Sequence, residues 1–276
     1  MKFNRNIFFQ ILSYAVLTAA SACMVFPFVW MLLSSFKTSA EVIRFPPTFM
    51  PAHFSFTNYL RAFSMAPFAR YFFNSIVVMF CSVVCTTVTA ILGAFAFSRL
   101  RFPGRELLFS FLLTMMMVPF EVLIITNYTI VVKLGLYNTL PALFLPFVSN
   151  VLYVYILKNF FDTVSDSLYY SARIDGASNW KYLWRVLVPL AKPSLFTIIL
   201  LNALSSWNSF VWPLYITSDS RSRTLPYGLQ VFTTEAGSFP ELLMAASTVI
   251  LLPMIVLFLF ARTYIISGVS RGGLKG

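Results

Sequence analysis

Ser75-Ile76-Val77-Val78-Met79-Phe80-Cys81-Ser82-Val83-Val84-Cys85 opens an apolar run that ends only at Phe97. Its residues do not alternate between apolar and polar, as a membrane-barrel strand of about 10 residues requires. The run is long enough for a helix to cross a bilayer, which takes about 20 residues at roughly 1.5 Å each. Five further runs of this kind lie at about 9–33, 107–130, 140–160, 194–216 and 242–261. The expected fold is therefore all-α: a polytopic membrane protein with six transmembrane helices in a single domain over residues 1–276.

Composition agrees. Of 276 residues, 59% are hydrophobic and 11% charged, against about 45–50% and about 25% in soluble domains. Such a chain is too apolar for a water-soluble enzyme and far from the polar balance of a disordered one. Cys23, Cys81 and Cys85 all fall inside spans, where they read as small apolar residues. They offer no disulfide framework and no zinc spacing. At the N-terminus, Ala20-Ser21-Ala22-Cys23 resembles a signal-peptide cleavage site. The apolar run continues through Phe26, Phe28, Trp30 and Leu33, however, whereas a signal core spans only about 7–15 residues. An uncleaved first span is expected.

Six spans put both termini on one side. That side holds Lys2, Arg5, Arg99, Arg101, Arg105, Lys158, Arg173, Lys181, Arg185, Lys192, Arg262, Arg271 and Lys275, or 13 of the 20 basic residues. The other 7 are Lys37, Arg44, Arg61, Arg70, Lys133, Arg221 and Arg223. The excess assigns both termini to the cytoplasm of a multi-pass protein. The net charge of +11 then expresses topology and affinity for anionic membrane lipid, with no nucleic acid implied.

The cytoplasmic loop 158–193 reads as two short helices. Asp166 is placed to cap the first, from Ser167 to about Ile174, with Leu168, Ser171 and Ala172 forming a small, apolar face. Gly176 ends it, and Ser178 caps a second helix from Asn179 to about Val188, bounded by Pro189 and Pro193. Tyr170-Ser171-Ala172, three residues, Gly176, nine residues, then Val186-Leu187-Val188-Pro189 resembles the EAA loop of ABC-importer permeases of the carbohydrate-uptake type. In that family the pattern is Glu-Ala-Ala, three residues, Gly, nine residues, Ile-x-Leu-Pro. Asn58-Tyr59, Asn74-Ser75, Ala96-Phe97-Ser98-Arg99, Trp207-Asn208 and the tail Gly272-Gly273-Leu274-Lys275-Gly276 are also similar to it.

The resemblance implies a coupling loop that docks an ATPase through Tyr170, Ser171, Ala172, Arg173, Asp175 and Gly176. It implies as partners a second homologous permease, two copies of an ATP-binding subunit and an extracytoplasmic solute-binding protein, all at the bacterial inner membrane. The solute implied is a sugar or oligosaccharide. A glycerol phosphate or polyol-like solute, or a scaffold that docks an ATPase without transporting, are the alternatives. Two departures stand out: Tyr170 replaces the family's Glu and Ser171 its first Ala. Tyr170 brings a hydrogen-bond donor and no charge, so docking is expected to rest on shape and on Arg173 and Asp175.

The chain has no phosphate-binding loop. The nearest approach, Gly268 to Gly273, is followed by Leu274 rather than Lys-Ser/Thr. His53 stands alone, so neither a catalytic constellation nor a metal or cofactor site is expected, and the chain is not expected to be an enzyme. Glu121, after Pro119-Phe120, is the one acid inside a span. It could cap a helix break, line the pathway or couple an ion. The fifth span carries Asn202, Ser205, Ser206, Trp207, Asn208, Ser209 and Trp212, which should face protein or a water-filled cavity. Flat aromatic faces and amide donors suit sugar rings. Glu121, Asn127, Asn208 and Trp212 are the expected pathway residues, and Ser149, Asn150 and Tyr128 lie on neighbouring spans.

Overall fold

The computed structural model describes residues 5–234 and 237–272, with side-chain surroundings for 9–233 and 238–259. Lys2, Arg5, Arg262, Arg271, Lys275 and the glycine-rich tail fall outside the described side chains. The described fold is all-α apart from one two-residue pairing, Thr233–Thr234 against Gly237–Ser238, antiparallel.

Three helices are single rods long and apolar enough to cross a membrane: Phe9–Ser34, Phe68–Arg99 and Pro240–Leu259. Three more crossings arise when bent helix pairs are each counted once, giving six. The bends change the straight spans expected at 107–130, 140–160 and 194–216. Helices Arg105–Met115 and Phe120–Lys133 meet at 99°. Pro119, extended at φ −62° and ψ 140°, starts the second of them; it has no N–H to donate and it disfavours helix in the residue before it.

Leu140–Phe147 and Val151–Thr163 meet at 47°. The carbonyls freed there are taken up by the long helix alongside: Thr86 Oγ1 donates to Phe147 O at 2.9 Å and Thr89 Oγ1 to Val148 O at 2.6 Å. In hydrocarbon such a break survives only when its backbone groups are re-satisfied. The expected fifth span starts instead at Asn179–Leu190, turns through 80° into Lys192–Trp207 and stops. Asn208 ends that helix, and Val211–Ile216 forms a separate turn. Between Tyr182 and Val188 the backbone widens into a π-turn, Leu183–Leu187, ahead of Pro189. The expected regular helix to Val188 is thus interrupted.

By contacts the chain forms two compact units. The first comprises residues up to Pro67 with Leu229–Pro253. In it, Asn58 Nδ2 donates to Ser35 O and Lys37 O, both at 2.8 Å, and Tyr59 Oη shares a hydrogen bond with Ser35 Oγ at 2.6 Å. The Asn58-Tyr59 pair therefore fixes the turn after the first span. Buried Lys37 donates to Thr48 O, and its ammonium lies 4.3 Å from the Trp30 ring centroid. The first helix keeps none of its hydropathic window buried within the chain, as an apolar solvent permits.

The second unit comprises Phe68–Gly228 and Met254 onward. Phe68–Arg99 packs against Val151–Thr163 and Lys192–Trp207 around Ala90, Ala94, Leu157, Phe161, Leu187 and Ile198. Small residues allow this close approach: a Cβ on Gly93 would sit 3.2 Å from Val154 Cγ2. Asn74 and Ser75 grip the segment 221–225. Asn74 Nδ2 donates to Arg221 O at 2.9 Å and Arg223 O at 2.8 Å, and Ser75 Oγ accepts from Leu225 N at 2.8 Å.

Beside this grip lies a polar knot on Asp219. The Arg221 guanidinium, the Asn138 amide and the Arg221 backbone N–H together hold its carboxyl down to about 2. A carboxyl lowered on folding stabilises fully above its ordinary value and loses that contribution as pH falls through the lowered one. We therefore expect the 217–228 segment to resist limited proteolysis above about pH 4 and to become cleavable as pH approaches about 2. Asp219→Asn should open the segment at neutral pH and remove the acid dependence.

Candidate docking platform and polar cavity

The 158–193 segment builds a platform on the second unit. Its first helix is Asp166–Ile174, capped by Ser165, whose Oγ accepts from Ser167 N at 3.2 Å. Asp166, expected as the cap, lies in the first turn instead and pairs with Arg99, with Nη1 to Oδ1 at 3.3 Å. Gly176 takes φ +77°, a left-handed conformation suited to glycine. Ser178 caps the next helix, accepting from Lys181 N at 3.2 Å.

Tyr169 and Ala172 pack inward on the core, and Tyr169 Oη donates to Asn179 Oδ1 at 2.8 Å. Leu168, Tyr170, Ser171, Arg173, Ile174, Asp175 and Gly176 are exposed. This differs from the expected Leu168–Ser171–Ala172 face, because Tyr169 anchors the helix and turns Leu168 and Ser171 outward. Of the expected docking residues, only Ala172 is part of the packed side. Arg173 Nη1 donates to Ala177 O at 3.1 Å, so it also ties the turn around Gly176.

Arg99 is the clamp under this platform, although in the sequence its charge counts only toward topology. Its side chain is 5% exposed, and Nη2 donates to Phe161 O and Val164 O, both at 2.6 Å. The end of the second span is thus locked to the start of the loop helix. Arg99's place in Ala96-Phe97-Ser98-Arg99 was the available signal. Beside it lies an open groove of about 700 Å3, to which Ser98, Arg101, Arg105, Asp162, Asp166 and Tyr170 contribute.

A second feature lies among the spans. A cavity of about 90 Å3 is lined by Ser82, Asn150, Tyr153, Asn202, Ser205, Ser206, Ser209 and Thr224, with Val78, Leu143, Phe147 and Pro213. It has room for about three waters. Ser82 Oγ donates to buried Asn202 Oδ1 at 3.0 Å. The mid-span amides and hydroxyls thus do face a cavity, as their cost in hydrocarbon demands. Ser82, Tyr153 and Thr224 complete it from other elements, a convergence the single-span pattern does not reveal.

The expected pathway residues are not among that lining. Glu121 is exposed in the first turn of Phe120–Lys133 and makes no capping bond. Asn127 is half-buried on the same helix. Asn208 is exposed at the end of Lys192–Trp207, one residue before Ser209. Trp212 is 2% exposed, its ring meets Phe120 edge-on at 5.8 Å, and its N–H donates to Ala142 O at 2.9 Å. The indole has no face open to a solute in this conformation, and it braces the helix break at Pro119 through Phe120.

Apolar, broken helices carrying a capped, exposed interhelical loop and a polar cavity fit a membrane permease. The chain belongs to the family of binding-protein-dependent transport system inner membrane components, whose profile matches residues 86–271. It is the transmembrane permease subunit of an ABC importer. It is 33% identical to the inner membrane ABC transporter permease protein YcjP of Escherichia coli K12, over 100% of both chains. It is 34% identical to the trehalose/maltose transport system permease protein MalG of Thermococcus litoralis, over 91% of this chain and 92% of that one. A chain in the crystal structure of a bacterial ABC transporter that imports the acidic polysaccharide alginate shares the fold, with a TM-score of 0.82, 24% identity and 96% and 99% of the two chains covered.

Proposed function

We propose that this permease forms half of the pathway for a neutral sugar or oligosaccharide, with a second homologous permease forming the other half. Residues 1–276 act as one permease domain with both termini in the cytoplasm. Its 158–193 loop docks one of two copies of an ATP-binding subunit, which supply ATP hydrolysis; a solute-binding protein delivers the cargo from outside. ATP closes the ATPase pair, and the 166–178 segment carries that movement into the spans. The physical requirement is that the platform contact the two ATPase states differently.

The observation that carries the solute class is the cavity wall. It offers four serines and two asparagines alongside a tyrosine and a threonine, and none of its lining residues is charged. At about 90 Å3 the cavity is closed to a sugar in this conformation; once the spans part, such a wall matches hydroxyl-rich neutral solutes, since it would leave an anion without a counter-charge. A glycerol phosphate finds no support there. The names of relatives support a carbohydrate cargo, among them the arabinooligosaccharides permease AraQ of Bacillus subtilis 168, at 32% identity, and leave its charge open, since the alginate importer carries an acidic polysaccharide. Glu121, Asn127 and Asn208 line the route as it opens, and Trp212 shapes it from behind.

Asn202→Leu removes the amide that Ser82 uses and replaces it with an apolar side chain. We expect kcat/KM for uptake to fall about tenfold, the scale of one lost hydrogen bond in a desolvated site. Glu121→Gln should change uptake rate or solute preference while assembly stays intact. Unchanged uptake in both variants would assign solute contact to the partner permease.

A further inference from the structure

We propose that Arg101 and Tyr170 together receive an acidic side chain of the ATP-binding subunit, reversing the polarity of the contact that a glutamate at position 170 would make. The proposal rests on the docking role given to the loop above.

Arg101 Nη2 donates to Tyr170 Oη at 3.0 Å. The phenol oxygen is thereby used as an acceptor, and its own O–H proton remains to be donated outward. The other charges of the groove are already matched. Arg99 pairs with Asp166, Arg105 with Glu106 at 2.6 Å, and Asp162 with Lys158 at 2.7 Å. Among the described residues Arg101 has no carboxylate within ion-pair distance, and it is exposed at the groove. The pair thus presents a guanidinium fork and one hydroxyl donor side by side.

Donors without a matching acceptor fit a carboxylate, which accepts through both oxygens and binds most strongly to a planar fork. A position that holds an anionic acceptor in the motif here holds a hydroxyl whose oxygen already accepts from Arg101 and whose proton is free to be donated. The surroundings favour a protein carboxylate over a lipid phosphate. Ile174, 86% exposed, lies one helical turn from Tyr170 on the loop helix and gives a partner surface something apolar to cover.

The experiment uses the assembled transporter in detergent. The Arg101→Lys variant is treated with a water-soluble carbodiimide, which joins an amine to a carboxylate only when the two touch, and linked peptides are identified by mass spectrometry. The expected product joins the amine introduced by Arg101→Lys to an Asp or Glu of the ATP-binding subunit. Arg101→Glu should reduce ATPase retention on the permease by about 100-fold, since it replaces attraction with repulsion, and Tyr170→Phe by about fivefold. If the wild-type permease retains no ATPase, the docking role itself fails. If the wild type retains it, while Arg101→Glu retains it equally and the introduced amine forms no such link, the docking role stands and this proposal is overturned. Loss of binding to vesicles of anionic lipid, with ATPase retention unchanged, also overturns it and assigns the pair to a headgroup.

Discussion

Gly176→Pro is expected to abolish ATP-coupled uptake while the permease still inserts and folds. Gly176 stands at φ +77°, and its N–H donates to Arg173 O at 3.1 Å. Proline locks φ near −65° and has no N–H, so both features are lost at once. A penalty of about 3 kcal/mol corresponds to a roughly 100-fold loss of the native loop conformation. The turn matters because the adjoining Ala177 N–H closes back on Ala172 O at 2.9 Å and Arg173 Nη1 reaches Ala177 O. The platform's exposed face thus depends on this one turn. Gly176→Ala is the control. A Cβ there meets nothing within 4 Å, so only the left-handed backbone is penalised, by about 1–2 kcal/mol. Uptake should fall in the order glycine, alanine, proline, with ATP hydrolysis by the complex continuing uncoupled. Equal uptake by the alanine and proline variants would show that the turn does not transmit the motion.

The second large effect is expected at Arg99. Arg99→Met keeps much of the length of the side chain and removes every donor. Phe161 O and Val164 O lose charged partners, and Asp166 loses its counter-ion. Asp166 is 70% exposed and so contributes little of the loss. The two carbonyl contacts, made by a side chain almost wholly out of solvent, carry most of it, about 2–4 kcal/mol. The platform then detaches from the end of the Phe68–Arg99 helix. Expected results are loss of ATPase co-purification and uptake below about one thirtieth of wild type, with helix content unchanged by circular dichroism. Arg99→Lys should fall between the two, since one ammonium cannot reproduce the fork.

Much of the architecture was legible in the chain because hydrocarbon tolerates few residue types. Runs such as 75–97 could be only spans, and Pro119 marked a break. The size of each bend was not legible. It depends on which neighbour accepts the freed backbone groups, and Thr86 and Thr89 do so from a helix distant in sequence. At the loop, Ser165 and Asp166 are adjacent and equally suited to capping; the choice is settled by Arg99, which draws Asp166 into an ion pair. Trp212 was recognisable as a costly mid-span residue, but its direction was not, because the helix ends at Asn208 and restarts at Val211. Any phase carried along one continuous helix fails across that gap. The polar cavity was half visible, since Asn202, Ser205 and Ser206 share one helix, while Ser82 and Tyr153 come from two others.

The most direct test of this mechanism is solute uptake by the purified complex of permeases, ATP-binding subunits and solute-binding protein in sealed vesicles, with a labelled neutral oligosaccharide outside. Uptake should require both ATP on the side of the 158–193 loop and the binding protein on the opposite side. Gly176→Pro should lose this uptake. Uptake that proceeds without ATP, or an assembled complex that hydrolyses ATP and moves no oligosaccharide, would contradict the mechanism.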